Sequence, residues 1–491
     1  MADESPLERE RRNKVARWRS AGREPYPWSF PHRVGTDRVR SACAALRPGE
    51  EDLAHPLRVA GRLKALRVHG RTAFADLEDL AGSLQLLLRV DELGEAGYTA
   101  WLADLDPGDV VGAEGAPMVS RRGEPSLLVT SLELLAKAIA PPPEKFHGLQ
   151  DVEERLRHRY VDLLASPATR DRFRLRSFLV AETRAHLADA GFLEVETPVL
   201  LPIAGGAAAE PFVTRSNYLD EELQLRIALE LPLKRLLVGG LERVFEIGKC
   251  FRNEDLDSTH SPEFTMLEAY WAYADYHDMR ALLEALYARL GRRAAEFAPD
   301  TPAVQEAARA FGAGFSTVDF VDELERWSGI SGLLDRTPSE LRELARAAGS
   351  TVPADSPPGV FLDKLFEHYV EPTLQAPTFV LDHPAATTPL AKRHRSKPHR
   401  VERFELYYRG VELGNAYTEL NDPDEQERRF REQLSARHDV RYAFDEDFVR
   451  ALRYGLPPCT GVGFGIDRLA MAFSGASSIK DVILFPQTRA V

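Results

Sequence analysis

The segment Arg243–Tyr276, RVFEIGKCFRNEDLDSTHSPEFTMLEAYWAYADY, constrains the chain more than any other. Phe245-Glu246-Ile247 alternates as a strand does, Arg252-Asn253-Glu254 closes that strand, and Pro262 to Glu268 alternates again after a polar loop. A hairpin with an unusual load of charge is expected. Arg252 offers a planar fork to a carboxylate or phosphate, Phe264 a flat face to a base, and Glu268 a carboxylate to an ammonium. A nucleotide and an amino acid could meet there. Taken alone, the stretch also fits a solvated hairpin whose Arg and Glu side chains pair across the strands.

Two more blocks bear on that choice: Gly191–Pro198 (GFLEVETP) and Gly455–Arg468 (GLPPCTGVGFGIDR). In this order the three resemble the first, second and third signatures of class II aminoacyl-tRNA synthetases, with FRNE followed by THSPEFTMLEAY similar to the lysyl-tRNA synthetase family in particular. The resemblance implies an α+β protein, an N-terminal OB-fold β-barrel followed by a class II catalytic domain of antiparallel sheet flanked by helices. It also implies a homodimer whose substrates are ATP, lysine and tRNA(Lys), with Mg²⁺ accompanying the ATP.

A chain of 491 residues exceeds one ordinary core, so two or three domains are expected. Residues 1–54 read as a helical basic arm, because Leu7–Arg23 interleaves Arg9, Arg11, Arg12, Lys14, Arg17, Arg19 and Arg23 with few apolar side chains and reaches a stop at Gly22. Such a helix should be largely exposed. It suits RNA phosphates, or equally a solvated arm or a packing helix. Residues 55–140 carry five short strands parted by Gly, Pro and Asp, the pattern of a small barrel. A linker at 141–170 opens with Pro141-Pro142-Pro143 and runs through 144–149 into the large domain of 171–491. Within that domain, Phe173, Phe178, Leu179 and Leu187 fall near helical spacing ahead of Gly191, and about 290–375 reads as a helical insertion with no chemical motif.

The net charge of -13 opposes broad, sequence-blind nucleic-acid binding but allows a local basic footprint. Three cysteines far apart suggest neither a disulfide framework nor a zinc site. No apolar run approaches the ~18 residues of a membrane span. Met1-Ala2-Asp3-Glu4 is unlike a signal peptide, so no membrane association and a cytoplasmic location are expected.

Near Arg409-Gly410 a turn would fold two strands together and bring Glu405 beside Glu412, a pair of hard carboxylates suited to Mg²⁺. Asn415, Tyr417 and Glu419 lie two apart and share a face, while Glu412 has the opposite parity. A bulge at Gly414 would bring all four to one pocket.

The resemblance assigns roles to particular positions. Arg252 and Arg468 are implied as catalytic, and Asn253, Glu254, His260 and Phe264 join them around ATP. Gly206, Glu230, Glu268, Tyr270, Asn415, Tyr417 and Glu419 are implied around lysine, with Glu419 and Tyr270 reading its side chain. Glu405 and Glu412 would hold Mg²⁺, and Arg62, Phe74, Gln85 and Glu124 would contact the anticodon. Two departures stand out. Glu210 occupies a position where lysyl enzymes usually show a basic residue, and Cys459-Thr460 stands where Thr-Ala is usual; Cys459 itself reads as a buried, inert thiol. They motivate a second reading, a lysine-activating paralogue with a non-tRNA acceptor. A third is a non-catalytic RNA-binding paralogue, which predicts loss of Arg252, Glu412 or Arg468; all three are present.

Overall fold

A computed structural model describes residues 5–488 apart from 144–150, 208, 255, 354–355 and 437–444. The linker segment 144–149 that leads into the large domain therefore lies outside the described residues. The chain divides into two units, Met1–Gln150 and Asp151–Val491.

The first unit begins with a helix, Pro6–Ser20, started by a capping box in which Ser5 and Glu8 satisfy each other's backbone N–H groups. The expectation of a largely exposed helix needs correction. Arg11, Lys14, Val15 and Trp18 recur at helical spacing and are buried. Lys14 donates to Asp106 at 2.9 Å and Trp18 Nε1 to Asp104 at 2.8 Å. Long basic side chains bury their stems while their charged ends find carboxylates, so a basic composition did not imply an exposed helix. Arg9, Arg12, Arg17, Arg19 and Arg23 stay on the open face.

Five strands follow: β1 (Leu57–His69), β2 (Thr72–Asp79), β3 (Gly82–Arg89), β4 (Val110–Val119) and β5 (Pro125–Ala136). They close in the order β1-β2-β3-β5-β4. Closure depends on β1, which pairs with β4 over Leu57–Arg62, bulges between Leu63 and Ala65, and pairs with β2 over the remainder. Val59, Leu63, Ala75, Leu77, Leu86, Leu88, Val111 and Leu127 alternate into the interior.

The second unit is built on a sheet with strand order β12-β13-β14-β15-β16-β11-β10-β6. Its strands are β6 (Leu193–Glu194), β10 (Arg243–Phe251), β11 (Glu263–Ala272), β12 (Ser316–Asp319), β13 (Thr378–Leu381), β14 (Arg403–Tyr408), β15 (Val411–Thr418) and β16 (Cys459–Gly465). A small separate sheet holds β7 (Leu200–Leu201), β8 (Val213–Ser216) and β9 (Glu221–Leu225). The central strands are antiparallel, while β6 and β12 at the two edges pair in parallel.

Strand alternation gives this sheet two unlike faces. Phe245, Leu267, Phe404, Leu406, Leu413, Ala416, Val462 and Phe464 point to one side and meet the helices Pro167–Asp189, Tyr276–Phe297, Pro302–Gly312 and Ile466–Ser474. The opposite face carries the polar and aromatic residues of the cavity described below.

The stretch read as helical over 290–375 also contains β12, which among the described residues pairs only with β13. Four residues with one partner strand leave little periodic signal. A second core lies alongside, where Phe320, Phe361, Leu365 and Phe366 pack with Val380 and Tyr407.

At the edge of the cavity face, Glu246 accepts from Arg226 at 2.6 Å and from the Thr197 backbone and hydroxyl at 2.9 and 2.7 Å. Both charged side chains are only 4% exposed. Glu246→Ala is expected to destabilise the protein by about 3–5 kcal/mol, because it leaves a buried guanidinium unpaired; urea unfolding would measure it.

Candidate active site

The polar face of the sheet is ordered in rows. Direct cross-strand partners give Glu246, Glu268, Gly463, Asn415 and Glu405 across β10, β11, β16, β15 and β14. The next row runs Tyr270, Gly461, Tyr417 and Arg403. Partners directly opposite one another point the same way, so each row is a line of side chains across the sheet. The glycines sit between large neighbours. Gly463 parts Glu268 from Asn415 and Gly461 parts Tyr270 from Tyr417, which cuts a trench into the sheet.

That trench is the floor of a cavity of about 520 Å³. Gly206, Glu230, Arg252, Glu254, His260, Phe264, Glu268, Tyr270, Glu412, Asn415, Tyr417 and Arg468 all line it. Asn253, Glu405 and Glu419 do not. Asn253 uses its backbone N–H on the Glu210 carbonyl at 2.8 Å, tying the hairpin to the small-residue loop before it.

Glu230 opens the helix Glu230–Val238, where the exposed N–H dipoles favour a carboxylate. Tyr417 donates to its Oε1 at 2.7 Å. Glu268 is buried, accepting from the Leu229 N–H at 2.9 Å and from the Tyr270 hydroxyl at 2.8 Å. Burial first, and the nearby Glu230 second, push its carboxyl up to about 7. Gly206, at φ +90°, lies against this corner; a Cβ there would stand 3.1 Å from the Glu230 Cβ.

At the other end, the bulge expected at Gly414 falls one residue earlier. Leu406 faces Gly414 and Tyr407 faces Glu412, leaving Leu413 unmatched and turning Glu412 to the side of Asn415. The turn before it runs through Arg409 and Gly410, both at positive φ. Glu412 accepts from Arg468 at 3.1 Å, yet burial and the charge of Glu405 still raise its carboxyl. Glu405 is bound by Arg403 at 2.6 Å and by the Tyr407 hydroxyl at 2.8 Å. A repelling carboxylate pair fits a shared divalent cation. Among the described residues no larger His, Cys, Asp or Glu group of metal-binding kind occurs.

Between these ends, Arg252 has its guanidinium 5.2 Å from the Phe264 ring centre and its Nε 3.4 Å from the Ile227 carbonyl. Arg468 Nη donates to His260 Nε2 at 3.3 Å, and His260 Nδ1 faces Asp257 at 2.8 Å. An acidic corner, an arginine and a second arginine paired with Glu412 thus succeed one another along one cavity.

A model of class II tRNA synthetases (D, K and N) matches residues 151–489, and one of OB-fold nucleic-acid-binding domains matches 57–135. Lysine-tRNA ligase of Roseiflexus castenholzii is 48% identical over 98% of each chain. The chain belongs to the lysine-tRNA ligase family. The ligase of Shouchella clausii is 43% identical over 98% of this chain and 96% of its own, and that of Deinococcus radiodurans 44% over 96% and 91%.

Two site residues of this family member had no role assigned from the sequence. Arg403 lines the cavity and donates to Asn415 Oδ1 at 3.1 Å as well as to Glu405. Lys234 is wholly buried, bonded to Glu230 at 2.5 Å and ion-paired with Glu419. The one signal available for Lys234 was its i+4 spacing from Glu230 in ELPLK. Cys459 is buried and free, and burial pushes its thiol well up; its carbonyl accepts from the Glu419 N–H at 2.9 Å.

In the barrel, Phe74 pairs with Leu87, Gln85 with Asp76 and with Ser126, and Arg62 with Glu78. Alternation from these pairs puts all three side chains on one face; Glu124 is exposed in the turn just ahead of β5. Phe74 packs there beside Leu87, Ala116, Met118 and Leu128. Gln85 accepts from the Ser126 hydroxyl at 3.1 Å, while Arg62 donates to the Gly108 carbonyl at 2.6 Å.

Proposed function

We propose that the chain activates lysine with ATP and transfers it to the 3′ end of tRNA(Lys), and that the cavity is where both steps occur. What supports this most is the succession of charges along the trench: carboxylates, then Arg252, then Arg468 with Glu412. It suits an amino acid laid end to end with a triphosphate.

Glu230 and Glu268 face the ammonium groups of lysine in this reading, and Glu419 acts from behind the cavity wall through its ion pair with Lys234. Asn415 and Arg252 hold its carboxylate, and Arg252 also spans to the α-phosphate. That single fork offsets repulsion between two anions and sets the attacking oxygen in line with phosphorus. The carboxylate oxygen bonds to the α-phosphorus as the bond to pyrophosphate breaks, giving lysyl-adenylate. Phe264 stacks on adenine under the Arg252 guanidinium, with Glu254, His260 and the backbone of Asn253 around the nucleotide. Arg468 meets the far phosphates. Glu405 and Glu412 would hold Mg²⁺, whose charge would screen the phosphates. Arg62, Phe74, Gln85 and Glu124 present a stacking ring and polar readers for an anticodon. A cytoplasmic homodimer completes this reading, as the family implies; among the described residues no helix is long and apolar enough to cross a membrane.

Lysine-dependent exchange between ATP and pyrophosphate, followed by charging of total tRNA with labelled lysine, tests both steps. Exchange without charging would favour the paralogue with another acceptor, for which Glu210 and Cys459 are the observations in hand. No exchange with any amino acid would overturn the enzymatic reading.

The raised carboxyl of Glu268 sets a pH dependence. Its neutral form prevails below about 7 and cannot pair with an ammonium, so bound lysine must draw it into the ionised form. The KM for lysine is expected to rise as pH falls through 7 and to level off above it. Glu268→Gln should raise KM throughout and flatten that limb, as exchange kinetics from pH 6 to 8.5 would reveal.

A further inference from the structure

Among the described residues Lys234 is the one buried ammonium in the acidic corner, on the helix Glu230–Val238 and one turn after Glu230. Its side chain is 0% exposed. Every element around it turns a charged, titratable or aromatic group toward it: Glu230 on its own helix, Glu268 and Tyr270 on β11, Tyr417 on β15, Glu419 just beyond β15, Cys459 on β16, and the Phe448 ring 5.9 Å away. Glu419 has both carboxylate oxygens buried, and beyond the Lys234 ion pair neither has a hydrogen-bond partner among the described residues. Glu419 also lies behind the cavity wall, so Lys234 holds a carboxylate that the resemblance implies for the substrate's own ammonium.

Glu230, Glu268 and Glu419 together carry three negative charges when ionised, and Lys234 returns one positive charge. Two remain unmatched. Lysine carries two ammonium groups, and its carboxylate belongs to Arg252 in the reading above, on which this inference rests. We propose that Lys234 is a positioning residue, a fixed internal counter-ion whose buried ammonium bridges Glu230 at the cavity wall and Glu419 behind it, and so sets the acidic corner to take the two ammonium groups of a diamino acid.

Burial and the neighbouring carboxylates push the Glu419 and Glu268 carboxyls up, and the Lys234 ammonium pulls both back down. The paired ammonium opposes both effects. Attraction to Glu230 and Glu419 keeps Lys234 protonated despite its burial. Without it, at least one more carboxyl would bind a proton near neutrality, and lysine would have to expel that proton on binding.

The test is Lys234→Met, close in length and uncharged, assayed by lysine-dependent ATP–pyrophosphate exchange from pH 6 to 9. The expected result is a lysine KM raised about tenfold or more at pH 7.5, one displaced proton near its pKa being worth about a factor of ten per pH unit. The acid limb of 1/KM should move to higher pH and steepen, while kcat stays within about threefold and the ATP KM is unchanged. Lys234→Met combined with Glu419→Gln removes one charge of each sign, so its KM should fall well below the product of the two single effects.

An unchanged pH limb, or strictly multiplicative effects in the double variant, would overturn the proposal and leave Lys234 a packing residue. A lowered lysine KM would overturn it too, marking Lys234 as a competitor for the site. Should Lys234→Met lose its cooperative unfolding transition, Lys234→Gln offers the same readouts with a hydrogen-bonding head. Wild-type exchange that does not require lysine would bring down the underlying reading, and this inference with it.

Discussion

Arg252→Ala is expected to lower lysine-dependent ATP–pyrophosphate exchange by about two to three orders of magnitude, the usual loss when one preorganised donor at a charged reaction centre is removed. The loss should fall on kcat as well as KM, since a group bridging attacking carboxylate and α-phosphate acts most strongly when the two anions are forced together. Arg252→Lys should recover little of it, because an ammonium is a point charge and cannot span two acceptors as a planar fork does. Thermal unfolding should barely move, since the side chain lines a cavity and makes one long bond, 3.4 Å to the Ile227 carbonyl. Exchange within tenfold of wild type would show that Arg252 is no bridge.

Gly461→Ala should be nearly as damaging, and at a different step. A Cβ at that position would stand 2.3 Å from the Tyr270 ring and 2.4 Å from Glu419 Oε1. Both neighbours are packed, Tyr270 at 3% exposure and Glu419 at 1%, so neither has free space to enter. Displacing the polar groups at the end of the pocket by about 1 Å would raise the lysine KM roughly 100-fold. The ATP KM should hold steady, since Phe264 and Arg468 lie away from that end. Overpacking should also lower stability by about 1–3 kcal/mol. Steady-state exchange with lysine and ATP varied in turn separates these effects; a larger change for ATP than for lysine would place the amino-acid site elsewhere.

Much of the framework was legible before any coordinates. The alternation through Phe245-Glu246-Ile247 and Pro262–Glu268 became β10 and β11, paired in register from Arg243–Trp271 to Phe251–Glu263. The barrel strands also lay where Gly, Pro and Asp parted them, because turn residues and period-2 patterns are local properties. The parity conflict between Glu412 and Asn415 called for a bulge, and one exists, although at Leu413 beside Gly414.

Other features were not local. The burial of the Pro6–Ser20 helix is set by Asp104 and Asp106, which lie some 90 residues away in the chain. β12 passed unnoticed since only its pairing with β13 makes it a strand. Lys234 was invisible as a site residue because a lysine in a helix usually faces water.

The sequence by itself determined strand alternation, the stop of the N-terminal helix near Gly22, and the presence and order of the three blocks that tie the chain to its family, all of which follow from backbone sterics and side-chain type within a few residues. Tertiary structure alone decided that Glu268, Gly463, Asn415 and Glu405 form one row, that glycines 461 and 463 open a trench between larger side chains, and that Lys234 stands between Glu230 and Glu419. Those relations depend on which distant strands pair and which groups lose water together, and burial sets the charge of a carboxylate as much as its identity does.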